Sequence, residues 1–343
     1  MKESLGFLFA VTRNDLSGMA QIRIVAFLLI AALGAVSPGG TSAQSAIDRP
    51  VRIIVPLPAG NTSDVVARLI ADQVRDRTGQ PVVVENKPGG SGRIAVDALK
   101  NSAPDGATLL LAPIAIPVIV PLVLKNPTYD PVRDLAPIAQ VSRYDFAFAV
   151  APDHPARTIP EFVAWAKANP ARASFGTAGP GGLPHFLGVM VGQTAGVELV
   201  HVGYKGIAPV ETDLMGGRIA AGIGGVSDLI ALHRADKLRI LATSGEKRSP
   251  LLPEVPTFRE QGYRSVEATG WHGVYAPAGT PQPVIDRFSK IIVAALRTPE
   301  MRERFAALGL EPTGTTPQEL AAIMVADTAR WRSVIRASGF TVE

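Results

Sequence analysis

From Ile47 onward the chain alternates short β-branched runs with amphipathic stretches, and no other feature limits its fold so tightly. Val51–Leu57, Pro81–Glu85, Thr108–Ala112, Ala173–Gly176, Leu199–Val202, Ile219–Ile223 and Leu238–Thr243 read as strands. Asp64–Arg77, Ile159–Asn169, Pro184–Thr194, Ala208–Met215 and Asp228–Arg234 read as the helices between them. Repeats of this kind build parallel sheets covered by helices. In Asp64–Arg77 the apolar Val65, Val66, Leu69, Ile70 and Val74 share a face, and Arg68, Asp72, Arg75 and Asp76 face water. The sequence closes on helical patterns at Pro283–Arg297, Glu300–Leu308 and Pro317–Ser338.

Two strand-like crossings, Ile138–Ala149 and Trp271–Ala276, bracket a complete strand–helix series. Together they predict an α/β chain of two lobes, each with a doubly wound sheet, joined by a two-strand hinge. Lobe 1 is expected over 44–145 and completed by 271–343, with lobe 2 (146–270) inserted between the crossings. A ligand would sit in the cleft between them.

The N-terminus has a different character. From Met19 it carries a basic start at Arg23, an apolar core from Ile24 to Val36, and then small residues. That is the layout of a secretory signal peptide over 1–43, cleaved near Ala43. The apolar core falls short of the roughly 20 residues a membrane-spanning helix needs. Met19 competes with Met1 as the true start, because the residues before it add Glu3 and Asp15 to a region that should be basic. Export as a soluble protein is the expectation. The chain has no cysteine, which excludes disulfides, thiolate metal sites, cysteine nucleophiles and a lipoprotein anchor. Its net charge of +4, with no long Lys/Arg run, gives no footprint for nucleic acid.

Two loops attract attention, each joining a strand to a helix. The first is Leu57-Pro58-Ala59-Gly60-Asn61-Thr62-Ser63-Asp64. A helix start leaves backbone N–H groups without partners and carries a partial positive charge, so a carboxylate or phosphate placed there meets donors already aimed at it. The plainer alternative is N-capping by Thr62 or Ser63, with Gly60 making the turn. The second loop is Thr177-Ala178-Gly179-Pro180-Gly181-Gly182, followed by Leu183-Pro184-His185. Its glycines allow close approach to a ligand, and Pro184 starts a helix without wasting an N–H. A third glycine-rich stretch, Asn86 to Arg93, follows another strand and would flank the same mouth.

Signatures of catalysis are missing. The second loop lacks the third glycine of a dinucleotide fingerprint, and no GxxxxGK[ST], HExxH or GxSxG occurs. The histidines at 154, 185, 201, 233 and 272 never pair at metal-ligand spacing and read as hydrogen-bonded scaffold or surface residues. No catalytic residue, metal or cofactor is assigned. A secreted carboxylate-ester hydrolase would need Ser91 and His185 as nucleophile and base.

These stretches resemble the periplasmic solute-binding proteins of tripartite tricarboxylate transporters, the Bug receptors. The resemblance runs from RPVRIIVPLPAG (49–60) through GQPVVVENKPGGSG (79–92), HVGYKGIAPVETDLMGG (201–217) and YAPAGTP (275–281) to ARWRSVIRASG (329–339). It implies a Venus-flytrap fold closing on a small carboxylated solute and handing it to integral-membrane transporter components. A monomer is expected, and a receptor feeding a two-component sensor is the alternative. The resemblance places ligand contacts at Leu57, Ala59, Gly60, Asn61, Thr62 and Ser63, with Asp64 orienting the loop. Further contacts fall to Thr177, Ala178, Gly179, Gly181, Gly182, His185, Tyr204 and Lys205. This chain departs from the usual PFPPGGGTD at Leu57, Asn61 and Thr62, and Gly224-Gly225 stand where polar side chains are common. With Trp271 nearby, as a wall or equally as hinge packing, those departures suggest a roomier distal pocket for a ligand with an apolar or aromatic body.

Overall fold

The computed structural model describes residues 49–342. The expected signal peptide and its cleavage site lie outside the described residues. Among the described residues ten strands occur: β1 (Val51–Val55), β2 (Val82–Asn86), β3 (Thr108–Pro113), β4 (Leu135–Val150), β5 (Ser174–Thr177), β6 (Val200–Gly203), β7 (Ala221–Gly225), β8 (Arg239–Thr243), β9 (Thr269–Pro277) and β10 (Glu311–Pro312). The longer helices are α1 (Thr62–Thr78), α2 (Arg93–Lys100), α3 (Ile159–Ala168), α4 (Leu183–Ala195), α5 (Ile207–Met215), α6 (Val226–Arg234), α7 (Gln282–Leu296), α8 (Pro299–Ala307) and α9 (Pro317–Ser338). Helix ends follow their residue chemistry: Thr158 caps α3 through Glu161 N–H, and Gly79 and Gly196 end α1 and α4 in the left-handed conformation. Not foreseen were α2, a π-helical turn at Ala115–Ile119, and the two-residue β10.

The strands run in the order β2-β1-β3-β9-β4-β7-β5-β6, with β8 and β10 pairing β4 off that path. β4 is the pivot of the arrangement. Its first part, Leu135 to Asp145, lies antiparallel to β9, while Phe146 to Val150 pairs instead with β7 and β8. A single strand thus passes from one strand set into another, and its register with β9 slips twice on the way.

Strand polarity then fixes where the loops go. β3 and β4 are both antiparallel to β9, so β1, β3 and β4 point the same way, toward the second set. β7 is antiparallel to β4, and β5 and β6 run parallel to β7, so they point back toward the first set. The loops that follow β1 and β5 therefore both open on the junction, at the carboxyl ends where open α/β sheets carry ligands.

Three apolar clusters fill the interior. Val66, Ile70 and Val74 of α1 pack with Ile285, Phe288 and Ile292 of α7 over β1, β3 and the first part of β4. Ala147 and Ala149 of β4 pack with Val210 and Leu214 of α5 and Leu229 of α6. The largest cluster runs from α2 and β3 to Phe162, Phe175 and Phe186, with Trp331 of α9. There the Phe175 ring lies against Gly188 in α4, in the space a side-chain carbon would fill. Gly188→Ala is expected to lower unfolding free energy by about 2 kcal/mol through overpacking, as urea denaturation would measure.

Candidate functional site

Asn61 is the N-cap of α1, and the expected cappers Thr62 and Ser63 fall one and two residues inside the helix. Its Oδ1 accepts from Ser63 N–H at 2.8 Å and Asp64 N–H at 3.2 Å, and its amide donates to Pro58 O. Two of the donors at this helix start are therefore occupied by the chain itself. Ala59, Gly60 and Thr62 stand exposed beside them.

Asp64 ties the loop from below. The carboxylate accepts from Gly60 N–H at 2.9 Å, from Asn86 at 3.0 Å, and from Arg68 through two bonds of 3.0 Å. Burial alone would push this carboxyl up; the Arg68, Gly60 and Asn86 bonds outweigh it and hold the group below its ordinary value. Asn86 also donates to Leu57 O at 3.0 Å, which brings the third glycine-rich stretch against the first loop.

Ser63 turns inward. Its hydroxyl lies 3.0 Å from His272 Nε2, and His272 Nδ1 lies 2.8 Å from the Ser142 hydroxyl. The loop is thus bonded to β9 and β4 at the level of their second register slip. His272 is 2% exposed, and burial pushes its ring down to about 4. A hydroxyl, not a carboxylate, faces the far nitrogen, so this serine–histidine pair lacks the charged third group that would activate a nucleophile.

Imidazoles also hold the second loop. Thr177 Oγ1 lies 2.8 Å from His201 Nε2 and donates to Gly179 O at 2.9 Å. His185 Nδ1 accepts from Gly181 N–H at 3.1 Å, and its ring stacks on His201 with centroids 4.0 Å apart. Burial lowers both rings, His201 to about 4 with help from His185. Gly182 begins α4, and Gly206 begins α5, without a side-chain cap, which leaves those helix starts open where the first is closed. Gly206 N–H donates to Ala178 O, and Tyr204 donates through its hydroxyl to Asp213 at 2.8 Å. Burial, and then that carboxylate, push the Tyr204 hydroxyl up to about 12. Ala178 and Lys205 are exposed.

The remaining expected residues have other neighbours. Trp271 is 2% exposed, packs in the largest core cluster and donates its indole N–H to Asp327 of α9 at 2.7 Å. Its place is one of packing rather than of lining a cleft. A side-chain carbon on Gly224 would meet Ile207 at 2.7 Å, so the space its missing side chain leaves is filled. Gly225 N–H donates to Asp228 at 2.9 Å at the start of α6. No hydrogen bond joins Ser91 to His185 among the described residues. No group of three or more His, Asp or Glu there could hold a metal ion, and no described helix is long and apolar enough to cross a membrane.

Comparison with known proteins accounts for this architecture. The family described as "Tripartite tricarboxylate transporter family receptor" matches residues 66–340. The chain belongs to that family. A curated relative of this receptor, Protein BugT of Bordetella pertussis, is 34% identical over 322 residues, spanning 94% of this chain and 98% of BugT. The solved structure of periplasmic binding protein BugD superposes with a TM-score of 0.72 at 33% identity, covering 86% of this chain and 99% of BugD. Rpa4515 of R. palustris, solved with adipate, gives 0.76 at 30% identity over 86% and 99% of the two chains. The receptor shares their two-lobed periplasmic-binding-protein fold.

His201 and His272 are hydrogen-bonded scaffold as the sequence suggested, but Ser142, and which loops the two imidazoles support, escaped the sequence reading. The only available signal was their polarity inside apolar strands. A ring pushed down by burial takes up a proton more readily when unfolded. Stability is therefore expected to fall as pH drops from 6.5 toward about 4. His272→Gln and His201→Gln should each flatten that slope, whatever they do to stability at neutral pH, in urea titrations across this range.

Proposed function

We propose that this receptor is an extracytoplasmic binding protein that takes up a small organic carboxylate between its lobes and passes it to a tripartite tricarboxylate-type membrane transporter. The observation that carries the reading is the pair of loops after β1 and β5. They open on one junction and are braced from beneath by hydrogen-bonded imidazoles and by Asp64. Exposed Thr62 and the uncapped starts of α4 and α5 offer backbone donors to an anion. Adipate in the related Rpa4515 supports a carboxylate as the ligand class.

Lobe 1 is taken as 44–145 with 271–343, and lobe 2 as 146–270; β4 changes partners between Asp145 and Phe146. Closure about β4 and β9 would bring the loops onto the ligand. The protein acts as a periplasmic monomer, with Ala59, Gly60, Thr62, Ala178, Gly179, Gly182 and Lys205 nearest the solute. Ser63, Asp64, Thr177 and His185 hold the loops in place, and binding proceeds without turnover.

Calorimetry of the mature chain against adipate, other dicarboxylates, citrate and aromatic acids tests this reading. One acid class should bind tightly and raise the melting temperature by mass action; silence across all of them would overturn it. A second expectation concerns Asn61, whose oxygen occupies donors that a carboxylate would use. Asn61→Ala should tighten the preferred acid about fivefold, the equivalent of a typical N-cap. Asn61→Asp, which sets a negative charge in the same place, should weaken it by more than that.

A further inference from the structure

A cleft of about 850 Å³ lies away from both loops, neither of which lines it. Its walls come from Arg143 to Asp145 where β4 changes partners, from the segment after β8 (245–251), and from the α7–α8–β10 region (296–313). Five cations line it: Arg143, Lys247, Arg248, Arg297 and Arg302. Arg248 is spoken for, by two bonds to Glu260 at 3.0 and 2.9 Å. Among the described residues, the other four have no carboxylate within ion-pair distance.

The acidic side of the lining is weaker. Glu246 pairs with Arg259 at 3.5 Å, Glu311 is exposed, and Asp145 is half-buried against Gly245. Burial pushes the Asp145 carboxyl up to about 6, against the pull of Arg143. Four unpaired cations thus converge from three separate segments on one concave surface. Such a surface focuses positive potential, and guanidinium groups match carboxylate and phosphate oxygens two at a time. The volume lies within the range of about 300–1,000 Å³ usual for small-molecule sites.

We propose that this cleft is a second binding site, for a compact anion bearing two or more carboxylate or phosphate groups, held by Arg143, Lys247, Arg297 and Arg302. Its occupant touches β4 at the partner change and a segment on either side of it, so binding there biases the relative placement of the two strand sets.

Pyrophosphate is a suitable probe, followed by calorimetry at low salt on the mature wild type, on Arg297→Ala/Arg302→Ala and on Asn61→Asp. Both arginines are exposed, and thermal melts should show the double variant folded. The expected result is pyrophosphate binding to the wild type and to Asn61→Asp alike. The double variant should be weaker by about tenfold or more, with a smaller loss of affinity between about 20 and about 200 mM salt. A tricarballylate titration beside it separates a preference for phosphate from one for carboxylate. Binding that survives in the double variant but disappears in Asn61→Asp would place the anion at the first loop and overturn the proposal. So would no binding at all to the wild type.

Discussion

The backbone hydrogen bonding of β4 is the constraint on which the rest depends. A sixteen-residue strand that serves β9 along one stretch and β7 and β8 along the next must belong to two sheets at once. Everything about the site's placement follows from its direction, because each neighbour's polarity is set against it. Loops as far apart in sequence as 57–63 and 177–182 open on the same junction for that reason alone. The two register slips with β9 let the strand twist between its partners while its ladder stays mostly paired.

Beneath both loops the same solution recurs: a hydroxyl on the loop bonded to a neutral imidazole, buried at His272 and half-buried at His201. Ser63 meets His272, and Thr177 meets His201. A neutral histidine has one donor and one acceptor, so it can serve a hydroxyl on one side and a second group on the other without bringing a charge into the core. Fixing loops before a ligand arrives reduces the ordering that binding would otherwise require. The first loop goes further, with Asn61 closing its own helix start and Asp64 collecting four bonds. The second leaves its helix start open. The two halves of the junction therefore differ in how much each must rearrange.

Much of this was legible in advance where the physics is local. Periodicity located the longer helices other than α2, because an amphipathic face is written within a few residues of chain. Asn61, Thr62 and Ser63 are all competent caps, and only the phase of α1 chooses Asn61. What could not be read was long range. The Ser63–His272 contact joins residues 209 positions apart, and nothing in either neighbourhood announces the other. Trp271 was open between ligand wall and hinge packing for a related reason. Beside a hinge it looks like a ligand wall, yet Asp327, far along the chain, satisfies its N–H and draws it into the core.

The pairing of β3 with β9 also bears on how the chain is made. Leu110 finds Tyr275, and Ala112 finds Gly273, only after the whole of β4 to β8 has been synthesised. Until then β3 has an apolar, unpaired edge, and the first sheet cannot close. Contacts of such separation slow folding and leave a strand edge open to other chains. A nascent chain of this shape gains by staying unfolded until its last third is available, the condition a translocating polypeptide meets when it crosses a membrane end first.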